Sequence, residues 1–224
     1  MKKLLFFAIV LCMAFHAQAQ MYTGMSGLLH VPSAEMSSNA SMRIGSHYVN
    51  PNFVPKGYND SYCQTFYISL TPYNWVEASY TILMWNRNNV YLPDRSLSIK
   101  IRPLKEGKWW PAVAIGSFDP FGTELNTNYY IAATKHFEML GGEWGFNVAF
   151  RHYKKVASAS WNGFIGGISY RPDFYRGLRG IIEYDGKELN IGVDVNFLRI
   201  LRAQVILQDW RYFILGICFD IKKL

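Results

Sequence analysis

The residues of this 224-residue chain with the most chemical potential are charged side chains: Glu77, Lys100, Arg102, Arg151, Glu183, Asp185, Asp194, Arg202 and Asp220. Most stand directly between apolar neighbours, as Lys100 does between Ile99 and Ile101 and Asp194 between Val193 and Val195. Two kinds of chemistry are open to such a set. If the charges share an enclosed space they compensate one another as ion pairs and hydrogen bonds, because an unpaired charge out of water is costly. If they line an accessible path, Arg and Lys bind carboxylates of an acidic polysaccharide, and Tyr or Trp stacks on sugar rings.

Catalysis finds less support. His30, His47, His136 and His152 lie in no nucleophile-elbow or metal-ligand spacing, and the chain contains no G-x-S-x-G, HExxH or phosphate loop. An enzyme, a metal site and a cofactor are therefore not expected. Cys63 and Cys218 lack CxxC spacing, which leaves one disulfide or two separate thiols open. Asp119-Pro120-Phe121-Gly122 and Tyr184-Asp185-Gly186-Lys187 read as turns, the latter as a two-residue Asp-Gly hairpin.

The elements that must carry these charges are strands. From residue 41 onward the dominant period is two: Leu189, Ile191, Val193, Val195 and Phe197 alternate with Asn190, Gly192, Asp194 and Asn196. Leu97, Ile99 and Ile101 likewise alternate with Ser96, Ser98, Lys100 and Arg102, and Phe213 to Ile221 repeat the pattern. About twelve such segments, with ten or fourteen as alternatives, fit the roughly 9–11-residue tilted strands of a bilayer-spanning barrel. Longer connections are expected at 50–60, 86–94, 119–127 and 154–162. If the tight turns face the periplasm, these loops face outside. Residues 20–40, rich in Met, Ser and Gly, show no alternation and suit an extra strand, an arm or a plug.

Alternation alone also permits a soluble sandwich or lipocalin-like barrel with its apolar face inward. The aromatic content, 17% of the chain, favours the membrane, since Trp75, Trp85, Trp109, Trp110, Trp144 and Trp210 fall near strand ends where rings suit the headgroup level. Export is read from the start: Lys2 and Lys3, an apolar run from Leu4 to Phe15, and Ala17-Gln18-Ala19 make a cleavable signal peptide, with Gln20 beginning the mature chain. Cys12 belongs to its core. No later stretch is long and apolar enough for a membrane helix, and the net charge of +7, two of it from the leader, is too diffuse for nucleic acid.

Several segments, in order, resemble the YjbH-type family of outer-membrane proteins associated with exopolysaccharide. They are Gly27-Leu28-Leu29-His30-Val31-Pro32-Ser33-Ala34-Glu35-Met36, Asp94 to Leu104, Pro111 to Asp119 with Gly122-Thr123, Tyr130 to Lys135, and Ile182 to Gly186 with Asn190-Ile191-Gly192. The resemblance implies a short, single-barrel form that helps move or deposit exopolysaccharide without catalysing a reaction.

The combined expectation is an all-β protein: residues 1–19 a leader, 20–40 an arm or plug, and 41–224 an antiparallel outer-membrane barrel. Its expected partners are outer-membrane lipid, exopolysaccharide and other export-machinery proteins. A diffusion channel for small solutes and an enzyme sited at the rim are the alternatives.

Overall fold

The computed structural model describes residues 20–50, 63–87, 90–124, 126–154, 161–197 and 200–222. The expected leader, 1–19, lies outside them, as does most of the expected loop at 50–60. Twelve strands follow in chain order: β1 (Ser41–Val49), β2 (Cys63–Tyr73), β3 (Val76–Arg87), β4 (Val90–Leu104), β5 (Ala112–Phe118), β6 (Asn128–Met139), β7 (Gly142–Tyr153), β8 (Gly163–Pro172), β9 (Leu178–Tyr184), β10 (Leu189–Phe197), β11 (Leu201–Gln208) and β12 (Tyr212–Lys222). Each pairs antiparallel with its sequence neighbours, and β1 pairs with β12 from Ser41↔Lys222 to Tyr48↔Leu215. The sheet is thereby a closed barrel with no free edge, the condition for a β-structure to satisfy its backbone in lipid.

Alternation shows which face goes where. Along β2 the exposed Gln64, Phe66, Ile68 and Leu70 alternate with Cys63, Thr65, Tyr67, Ser69 and Thr71, which point inward. In β4, Leu97, Ile99 and Ile101 face outward and Ser96, Ser98 and Lys100 inward. The apolar side of the sheet is therefore its outer surface and the polar side its lumen, the reverse of a lipocalin. A barrel so arranged is built to stand in lipid. Among the described residues no helix is long and apolar enough to cross a membrane.

The near end, which holds the start of β1 and the end of β12, carries the turns at 74–75, 105–111, 140–141 and 173–177. Trp75, Trp109 and Trp110 are exposed there, Tyr73 stacks on Trp75 at 5.9 Å, and Trp144 meets Tyr170 at 4.7 Å. Trp210 marks the far end, and the side chain of Trp85 is outside the description. Leu140 and Gly141 both have positive φ, 52° and 74°, the two-residue turn whose twist matches the flanking strands.

Three local expectations change. Residues 90–94 are not loop but the first part of β4, paired from Arg87↔Val90. Asp94, the last residue of that expected connection, points inward and accepts a hydrogen bond from Thr123 Oγ1. The turn at 119–122, where glycine would be the usual carrier of positive φ, has it on Asp119 instead, at 53°. The Asp-Gly hairpin is a four-residue connection at the far end: Asp185 Oδ1 accepts from the backbone N–H of Lys187 at 3.0 Å and of Glu188 at 2.9 Å. Cys63 and Cys218 are separate buried thiols.

Candidate functional site: the filled lumen

Residues 20–36 are buried from end to end, inside the ring of strands. They form a folded-back strap rather than a strand of the wall, with isolated bridges Gln20↔Ser26 and Gly27↔Pro32. A strap of this kind cannot pair its backbone with a sheet, so its N–H and C=O groups need other partners in a place cut off from water. The inward side chains of the wall supply them.

Glu183 on β9 accepts from the backbone N–H of Leu29 at 2.9 Å, His30 at 2.8 Å and Val31 at 3.1 Å. Glu77 on β3 accepts from the N–H of Ser26 at 2.9 Å and from its hydroxyl at 3.1 Å. Lys100 on β4 donates to Ser26 O at 2.7 Å and Glu35 O at 2.8 Å, and its Nζ lies 3.0 Å from Glu77. Arg43 of β1 completes this group by pairing with Glu77 and donating to Ser26 Oγ at 2.8 Å. Thr81 and Ser79 bond Thr23 O, Thr134 accepts from Ala34 N–H, and Asn147 donates to Pro32 O at 3.0 Å.

Towards the far end, His30 Nδ1 stands 3.2 Å from Asp185 Oδ2, with its ring edge-on to Trp161 at 4.9 Å and against Tyr22 at 5.2 Å. Burial acts to raise the pKa of Asp185, but the His30 contact and the N–H groups of Glu188 and Lys187 outweigh it and hold the carboxyl below its usual range. Arg151 reaches Asp185 O at 2.6 Å and lies over the Tyr153 and Trp161 rings. Shape matches as well as charge. A Cβ on Gly167 would lie 2.7 Å from Leu28 Cδ1, and one on Gly192 2.8 Å from Leu29 Cδ2, so these two wall glycines receive the strap's leucines.

Of the charges flagged in the sequence, Glu77 and Lys100 meet in one group, Arg151, Glu183 and Asp185 in a second, and Asp194, Arg202 and Asp220 in a third. In the third, Arg202 pairs with Asp220 at 2.6 Å and approaches Asp194 at 3.7 Å. Arg102 stands apart, half-buried at the near mouth, where it donates to Asn74 O at 2.6 Å. Sequence reading missed Arg43, Glu143, Arg171 and Arg179, all inward on their strands, and Glu35 of the strap. Glu35 is held by Arg179 at 2.9 Å, His136 at 3.1 Å and Arg171 at 3.5 Å, and Arg171 also pairs with Glu143. The signal for Arg43 was available: it shares the phase of Gly45 and His47 against Met42, Ile44 and Tyr48.

Two spaces remain. One, of about 20 Å³ beside Tyr22, Ser98 and Tyr130, is large enough for a single water. The other, about 220 Å³, opens at the near mouth between Ala34 and Glu35 of the strap and Arg102, Glu106, His136 and Arg171 around them. Glu106 lies in the β4–β5 connection. It accepts from His136 N–H at 2.8 Å, contacts His136 Nδ1 at 2.7 Å and pairs with Lys135 at 3.0 Å. Partial burial raises its pKa, but the His136 and Lys135 bonds prevail and lower it. Among the described residues no group of three His, Cys, Asp or Glu side chains is arranged to hold a metal ion.

An outward apolar belt, a closed sheet and a lumen occupied by the chain's own strap define a plugged transmembrane β-barrel. The chain matches the YjbH family, described as exopolysaccharide biosynthesis protein YbjH, over residues 19–190, and it belongs to that family. Membership ties it to exopolysaccharide-related function at the outer membrane. No curated protein matches the chain.

Among solved structures it is similar to outer membrane phospholipase A from Escherichia coli, at 11% identity over 85% of this chain and 99% of that one, with a TM-score of 0.37. It is also similar to a mutant porin of Rh. blastica, at 10% identity, 83% and 75% coverage and a TM-score of 0.34. A bacterial polysaccharide outer membrane secretin gives 10% identity, 82% and 97% coverage and a TM-score of 0.34. Scores of that size mark a loose likeness of outline, and the membrane reading stands on the barrel's own geometry.

Proposed function

We propose that the protein is a non-enzymatic outer-membrane barrel that supports production or export of exopolysaccharide, with its near end in the periplasm. Short turns and both chain ends on the periplasmic side are the usual arrangement in bacterial barrels. The observation that carries the reading is the strap: residues 20–36 occupy the lumen and are bonded to wall residues on β1, β3, β4, β6, β7 and β9. A diffusion channel for small solutes needs a free aqueous path, and a lumen tied up in this way argues against one. The His30–Asp185 pair is the arrangement nearest to hydrolase chemistry, but it is enclosed among Tyr22, Trp161 and Arg151 and serves the strap.

Deletion in the native host tests the proposal. Secreted or capsular polysaccharide should fall while uptake of small solutes stays unchanged, and the full chain supplied in trans should restore it. Unchanged polysaccharide together with altered solute uptake would establish the channel instead.

A further inference from the structure

The near-mouth cavity has a volume of about 220 Å³, and the strap itself forms one side of it. Most of its ionic groups are matched before any ligand arrives: Arg171 with Glu143 and Glu35, and His136 with Glu35 and Glu106, while Arg102 donates to Asn74 O at the rim. A free anion or cation entering such a space finds little net field to favour it. A polyhydroxyl ring gains from the same walls, because each hydroxyl donates to a carboxylate on one side and accepts from a guanidinium on the other. Glu35, Glu143 and Arg171 are almost wholly buried and fixed by one another, so the polar groups are already oriented.

The remaining walls suit the same ligand. Ala34 and Ala112 offer small apolar surfaces for the C–H face of a ring, and Thr134, bonded to Asn147 at 2.7 Å and to Ala34 N–H, fixes the strap there. At about 220 Å³ the cavity falls below the roughly 300 Å³ where pockets for drug-sized ligands begin. That favours a single ring over an extended chain.

We propose that this cavity binds one neutral, hexose-sized sugar unit at the periplasmic mouth, with Arg102, Glu143 and Arg171 as its polar contacts. The inference rests on the exopolysaccharide reading above and names the ligand class of that function.

Saturation-transfer NMR on the detergent-solubilised full mature barrel tests it, with glucose, galactose and N-acetylglucosamine as neutral probes and glucuronate and glucosamine as charged ones. At least one neutral probe should give a saturable signal, displaced by the charged probes only at about tenfold higher concentration. Ala112→Phe, which fills the cavity, should abolish the signal while keeping the heat-modifiable gel migration of a folded barrel. Arg102→Ala, at the half-buried mouth, should weaken binding about tenfold and serves if Ala112→Phe does not fold. Arg176→Ala, at an exposed pair with Glu138 outside the cavity, should change nothing.

No saturable binding of any neutral probe, tighter binding of a charged one, or binding unaltered by the cavity variants overturns the site. Polysaccharide lost on deletion but normal in a strain carrying folded Ala112→Phe likewise removes the site while leaving the broader function intact.

Discussion

Glu183 accepts three backbone N–H groups from the strap, and all three are buried. A stranded buried donor costs about 1–3 kcal/mol, partly relieved if water enters, so Glu183→Ala should lower barrel stability by about 3 kcal/mol. Glu183→Gln keeps an acceptor and should cost less than half as much. Urea titration of the barrel in lipid vesicles checks both, and equal losses would mean that the carboxylate's hydrogen bonds are not what holds the strap.

Acid acts at the same scale. Asp185 and Glu106 have native pKa values below their unfolded ones. Their contacts therefore stabilise the fold above the ordinary carboxylate range and are lost as pH falls through the native values. Amide protection of Lys187, Glu188 and His136, whose N–H groups these two carboxylates hold, should be unchanged between about pH 7 and 5 and should fall below about pH 4. Loss of protection already near neutrality would contradict the assignment.

At the scale of elements, the strands were legible and the strap was not. A period of two over ten residues is a local signal, and it located β10, β11 and β12 almost to the residue. Misreadings came where polar residues have two uses: Asp94, expected at the end of the 86–94 connection, belongs to β4 and points inward. The strap gives no period because its environment is built by strands that lie up to about 150 residues further along, such as β9 with Glu183. Its Gly, Ser and Met content therefore made sense only once the ring was in view. For the same reason the alternation picked out the charges, while the strap backbone that they bond gave no local sign.

Deleting residues 22–36 tests the strap as an element. Glu77, Lys100 and Glu183 would lose their strap partners and draw in water, and the barrel should conduct ions in planar bilayers where the intact chain does not. An intact chain that conducts equally would show that the strap does not block the lumen. Gly192→Val should act more gently. The new side chain meets Leu29 and Val205 O, and overpacking of this kind costs about 1–3 kcal/mol.

For the whole molecule, the outward belt sets the partner: lipid. Val193 lies midway along β10 on that belt, between Val205 and Gly180. A lysine at the bilayer midplane of a barrel costs about 2–4 kcal/mol, so Val193→Lys should destabilise folding into phosphatidylcholine vesicles by that amount. A soluble β-protein would tolerate it on an exposed face. The same belt also accounts for a mean hydropathy near zero, since it is matched residue for residue by a polar interior.

The pairing of β1 with β12 has a consequence for how the molecule comes into being. Ser41 meets Lys222 across nearly the whole chain, so this seam has the greatest sequence separation in the sheet and closes late. Residues 20–36 lead directly into β1, the strand that makes the seam. The open sheet is thus offered its filling by the strand about to seal it, and the filling touches strands around most of the circumference. Once sealed, the wall admits such a segment only through its two mouths. A strap that fills the lumen and leads into the seam strand ties the bore of the barrel to the bulk of its own filling.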